Sequence, residues 1–107
     1  MRASGAVYVG VLTVTLEFPG VRSLKEKRAQ VKPLTERLKT RFAVTVARLD
    51  GLDAHDWERV GVATISADRD WVERTLASAL SFVIARGLAV RESDISVERW
   101  DEATFDD

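Results

Sequence analysis

The stretch Val7 to Phe18 constrains the fold more than any other part of the chain. It is rich in Val, Leu, Thr, Tyr and Phe, the residue types that fit a pleated strand, and Pro19-Gly20 ends it. A strand with one wet face alternates apolar and polar residues. Here Tyr8, Leu12, Val14, Leu16 and Phe18 fall on one side, and Val7, Val9, Val11, Thr13 and Thr15 on the other. Neither side carries a charge until Glu17, so the strand belongs in the middle of a sheet. A chain of 107 residues must then supply strands on either side and a layer to cover one face, all within a single domain over 1–107.

The rest of the chain reads in that sense. Ser23 followed by Glu26 is a capping-box signature for a helix start. Leu24, Val31, Leu34, Leu38 and Phe42 recur on one side of that helix. Pro33 lies inside it and predicts a kink or local irregularity. Phe42 to Leu49 reads as a second strand, Asp50 to Glu58 as a polar loop and Arg59 to Ser66 as a third strand. Asp68 caps a second helix with the stripe Val72, Leu76, Ala79, Leu80 and Val83, and Gly87 fits its left-handed end. Leu88 to Trp100 contains a fourth strand. The order β-α-β-β-α-β predicts an α+β, ferredoxin-like fold: a four-stranded antiparallel sheet with both helices on one face and the first and third strands central. Residues 7–100 form the expected core, with 1–6 and 101–107 as flexible ends.

The open face of such a sheet should be polar. Its candidate residues, Val9, Val11, Thr13 and Thr15 with Thr45, Ala47 and Ala63 on neighbouring strands, are instead smooth and weakly polar. They read as an interface for a homodimer or another protein partner. The plainer account is that β-branched residues simply favour strands.

Several chemistries are excluded by what is missing. There is no Cys and no Asn, so disulfides, thiolate nucleophiles and carboxamide-dependent mechanisms drop out. His55 is the sole His, so a zinc site with several imidazoles is impossible. Asp50, Asp53, His55 and Asp56 form one acidic loop whose spacing matches no calcium loop, and it reads as solvated. No catalytic constellation stands out and no cofactor is expected, so the chain reads as non-enzymatic. No apolar run approaches the ~20 residues of a membrane span, and no signal-peptide core follows Gly5. A cytoplasmic location without membrane contact is expected.

The net charge of −1 conceals an uneven distribution. Residues 22–41 hold eight basic and two acidic side chains, whereas 90–107 hold two basic and seven acidic ones. A helical wheel gathers Lys25, Arg28, Lys32 and Lys39, with Arg22 and Ser23 at the helix start where free N–H groups attract anions. Lys27 joins this anion-binding set, but it projects toward the apolar arc and must snorkel or find a partner. A basic stripe of this kind suits phosphate contacts on RNA. The competing account is a solvated amphipathic helix. Base stacking in the manner of an RNA-recognition motif is not expected, because the third strand lacks aromatics.

Val9-Gly10-Val11-Leu12 and then Pro19-Gly20-Val21-Arg22-Ser23-Leu24-Lys25-Glu26-Lys27-Arg28, together with Arg37, Leu38, Arg41-Phe42, Val44, Val46, Ala47, the acidic loop from Asp50 to Trp57 and Gly61-Val62-Ala63, resemble the YlxP-like bacterial family. That is a domain of unknown function, and the resemblance extends from Val7 to Val97. It implies a ferredoxin-like fold. Its gene neighbourhood, beside translation initiation and ribosome maturation factors, implies ribosomal RNA or a translation factor as the partner. It supplies no catalytic residues. Trp71 and Phe82 are expected at the edge of the core, with a partner surface as the alternative, and Trp57 and Trp100 are expected to anchor the loop and the last strand through contacts that sequence does not assign.

Overall fold

The structure, a computed structural model, describes residues 5–101. The outer parts of the expected flexible ends, 1–4 and 102–107, lie outside the described residues. Six elements follow in order: β1 Val7–Glu17, α1 Leu24–Arg41, β2 Thr45–Asp50, β3 Trp57–Ser66, α2 Arg69–Ala85 and β4 Ala89–Trp100. All strand pairings are antiparallel, and the sheet order is β2-β3-β1-β4. This is the ferredoxin-like α+β arrangement, with β1 and β3 central as its two-sided apolar sequence requires.

The core lies between the sheet and the helices. Leu12, Val14, Leu16 and Phe18 are buried with Val60 and Val62 from β3, Val31, Leu34 and Leu38 from α1, and Val72, Leu76, Ala79 and Val83 from α2. Gly10 belongs to the same face of β1. A Cβ there would stand 2.7 Å from Leu76 Cδ1 and closer still to Val72 Cγ1. The bare backbone is what lets α2 settle onto the strand.

Some local expectations shift. α1 runs unbroken through Pro33, which is exposed. The ring therefore costs one backbone hydrogen bond without ending the helix. β3 begins at Trp57, so the loop before it is shorter than Asp50 to Glu58, and Phe42 caps α1 instead of opening β2. Leu24 is exposed, and the first core position on α1 is taken by Lys27, in step with Val31, Leu34 and Leu38. No helix among the described residues is long and apolar enough to cross a membrane.

Candidate functional site

The start of the basic helix packs against the loop that follows β2. Ser23 Oγ accepts from Glu26 N–H at 3.1 Å, and Arg22 N–H donates to Glu26 Oε1 at 3.0 Å. The cap satisfies one orphan donor at the helix start, worth ~1 kcal/mol, and Glu26 reaches back to Arg22, the residue before the cap. It also places the carboxylate of Glu26 where an external anion would bind. Ser23 is thus engaged in the cap, and Arg22 alone of the pair leaves its side chain exposed.

Lys27, expected to join an anion-binding set, does not stand with the exposed cations of α1. It is wholly buried, and its ammonium lies 3.0 Å from Glu58 Oε1. It donates to the carbonyls of Gly51 at 2.7 Å, Trp57 at 3.2 Å and Ala54. Glu58, also wholly buried, accepts a fork from Arg48: Nε to Oε2 at 2.5 Å and Nη2 to Oε1 at 2.7 Å. Three charges therefore close on one another with no buried side-chain polar atom left unpaired among the described residues. Burial by itself would raise the Glu58 carboxyl. The hydrogen bonds and charges of Arg48 and Lys27 outweigh it and hold that carboxyl below the ordinary carboxylate range. The Glu58 hydrogen bond likewise raises the Arg48 guanidinium.

The loop from 51 to 56 is folded around this ammonium. Two further ties hold it: Phe18 N–H donates to Asp56 O at 2.9 Å, and His55 Nδ1 stands 2.9 Å from Val21 O. Gly51, at φ 74°, turns the chain where a Cβ would press on the Trp57 ring at 2.9 Å. The backbone carbonyls face Lys27 while Asp50, Asp53, His55 and Asp56 are exposed. No three His, Asp or Glu among the described residues are grouped to hold a metal ion.

The remaining candidate cations are on the surface. Lys25, Arg28, Lys32 and Lys39 are all exposed. They share one flank of α1, and among the described residues only Lys39 meets a carboxylate, Glu36 at 3.6 Å. The opposite flank of the exposed arc faces α2 and carries Arg37 and Arg41. Arg41 Cζ lies 5.3 Å from the centroid of the Phe82 ring, and Arg86 Cζ lies 5.7 Å from it. Phe42 meets the same ring edge-on at 5.8 Å.

On the far face of the sheet, Val9, Val11, Thr13 and Thr15 stand opposite Ile65, Ala63, Gly61 and Arg59. Thr45 and Ala47 extend the row beside Ala63 and Gly61. Ile65 is 61% exposed, Leu49 49% and Val11 39%. Thr15 does not join this patch: it is buried at 5% exposure, because Arg59 and Glu92 flank it on the two neighbouring strands and pair at 3.9 Å. Val9, Ala63 and Ile65 continue into a groove of about 470 Å³ that ends at Trp71. The β4 residues on this face, Glu92, Asp94 and Glu98, place an acidic row to one side. Trp100 donates to Glu98 at 3.0 Å.

Arg48 and Glu58 escape a reading that looks for exposed charge. Strand alternation does place them on the core face, Arg48 in step with Val46 and Glu58 in step with Val60 and Val62, so the signal was a charge at a core position.

Residues 9–96 match the family described as "Protein of unknown function (DUF503)". The chain is 35% identical over 63 residues to "Uncharacterized protein YlxP" of Bacillus subtilis (strain 168). That match takes in 57% of this chain and 66% of the relative, just under two thirds of its length. Among solved structures, "De novo designed protein Foldit4" aligns with a TM-score of 0.43 and 18% identity, covering 89% of this chain and 96% of that one.

Proposed function

Since the chain belongs to the DUF503 family, whose function is unknown, we propose a role from its own surfaces: a small accessory domain that contacts RNA of the translation machinery through α1. One observation carries this. Lys25, Arg28 and Lys32 line one exposed flank of α1 with no carboxylate partner among the described residues. Unpaired cations along a rigid helix suit phosphates spaced along a backbone, with affinity set by counterion release. The contact is sequence-independent, since Tyr8 faces the helices beside Arg69 and offers no base-stacking platform on the open face. Charge reversal of Lys25, Arg28 and Lys32 to Glu is expected to weaken co-sedimentation with ribosomal RNA at least about tenfold and to flatten its salt dependence. Equal binding by variant and parent would end the RNA assignment.

A second role has its own observation. The exposed strip Val11, Ile65 and Leu49 is apolar on a face that water should claim. A second copy fits it, because a two-fold axis along the strands packs strip on strip and keeps the two acidic β4 rows apart. Ile65→Lys is expected to convert a dimer to a monomer in light scattering at micromolar concentration. A monomeric parent would remove the dimer.

A further inference from the structure

The groove between α1 and α2 is lined by arginines that the functional reading of α1 leaves unused. Arg37, Thr40, Arg41, Phe82 and Arg86 enclose about 320 Å³ with no acidic residue among them. Two further hollows continue it. One, of about 560 Å³, shares Arg41 and Phe82 and adds Ser78 and Ser81 from α2. The other, of about 210 Å³, shares Arg86 and adds Gln30 and Pro33. None of Arg37, Arg41 and Arg86 makes an ion pair within the described residues. Like-charged guanidiniums around one groove repel when no anion is present. Two of them are nonetheless held in place by stacking on Phe82, which reduces the ordering they would lose on binding.

We propose that this groove seats phosphates of an RNA backbone, with Arg37, Arg41 and Arg86 as the anion-binding residues and Ser78 and Ser81 as hydroxyl donors beside them. The planar fork of arginine matches phosphate oxygens in a way lysine does not. Charge complementarity selects an anionic occupant. The Phe82 ring is already occupied by guanidiniums and the Phe42 edge, so it serves the arginines and not a stacked base. The backbone then crosses the helical layer, from the Lys25–Lys32 flank of α1 into the α1–α2 groove. This site rests on the RNA role proposed above and extends it to α2.

The test measures binding of a fluorescein-labelled oligouridylate to the full chain by anisotropy between ~50 and ~200 mM salt. The parent is compared with the groove variant R37Q/R41Q/R86Q and the flank variant K25E/R28E/K32E. R37Q/R86Q, which leaves Arg41 on Phe82, serves as the control against misfolding, with circular dichroism on each. The groove variant is expected to bind at least about tenfold more weakly and to lower the slope of log K against log salt by about 2, at ~0.7 per phosphate. R37Q/R86Q should lower that slope by about 1.4. Parent-like binding by the groove variant alongside loss in the flank variant overturns the groove and leaves the α1 role standing. No binding by the parent overturns both. Thermal stabilisation by inorganic phosphate equal to that by the oligonucleotide assigns the groove to a small phosphate ligand and overturns the RNA placement.

Discussion

Lys27 shows how far the role of a single residue depends on what stands opposite it. On α1 alone it is one of several basic side chains. In the fold its ammonium is shut between Glu58 and the loop carbonyls of Gly51, Ala54 and Trp57. Taking one member from a buried charge network leaves the others uncompensated, which costs about 3–5 kcal/mol. Lys27→Met should therefore lower the urea midpoint steeply while Lys25→Met leaves it nearly unchanged. The same network sets a pH dependence. The Glu58 carboxyl is held below its ordinary value in the folded state, so the unfolded chain takes up the proton first as pH falls. Stability is fully present above the unfolded carboxyl value, ~4.3, and is lost as pH drops toward the lower folded one. Glu58→Gln should lower stability at pH 7 and shrink the difference between unfolding curves at pH 7 and pH 4; an undiminished difference would place the acid sensitivity elsewhere. That Lys27 needed a partner was legible from its place on the helical wheel. Which partner was not, because Glu58 and Arg48 reach it through strand pairing distant in sequence.

At the scale of elements, periodicity carried most of the fold. The capping pair Ser23 and Glu26, the stripe on α2 and the alternation of β1 all reappear as packed structure. What periodicity did not carry was the close approach of elements. Gly10 leaves no mark in an apolar pattern, yet α2 rests on it. Gly10→Ala should destabilise by about 1–3 kcal/mol through overpacking against Val72 and Leu76. A double variant with Leu76→Ala should recover part of that loss, and failure to recover any would mean that the glycine acts through the strand backbone. The boundaries moved for similar reasons. Leu24 satisfies the helical repeat, but the capping turn swings it into solvent and gives its core place to Lys27. Thr15 has the right alternation for the open face, but a pair of long side chains from its two neighbours closes over it. The α1–α2 groove was out of reach of a single-helix reading because Arg41 and Arg86 converge on Phe82 only when two helices lie side by side.

Over the whole molecule, folding turns an uneven charge sequence into an uneven charge surface. The exposed cations of α1 lie on the helical layer, whereas Glu92, Asp94 and Glu98 lie on the opposite face of the sheet. A net charge of −1 is thus the sum of a basic side and an acidic side. Long-range attraction of a polyanion depends on both the local patch and the total. Residues 102–107 contribute Glu102, Asp106 and Asp107, so a chain ending at Asp101 carries +2 in place of −1. If RNA meets the helical layer as proposed, that shorter chain should bind an oligonucleotide a few-fold more tightly at ~10 mM salt, where charges act over ~30 Å. The gain should fade at ~150 mM, where they act over ~8 Å. The Lys25, Arg28 and Lys32 reversal should abolish the gain, because a lighter acidic burden matters only where a basic patch is there to be relieved of it. An equal gain in the reversed protein would show that net charge alone governs binding, and that the basic helix has no local part in it.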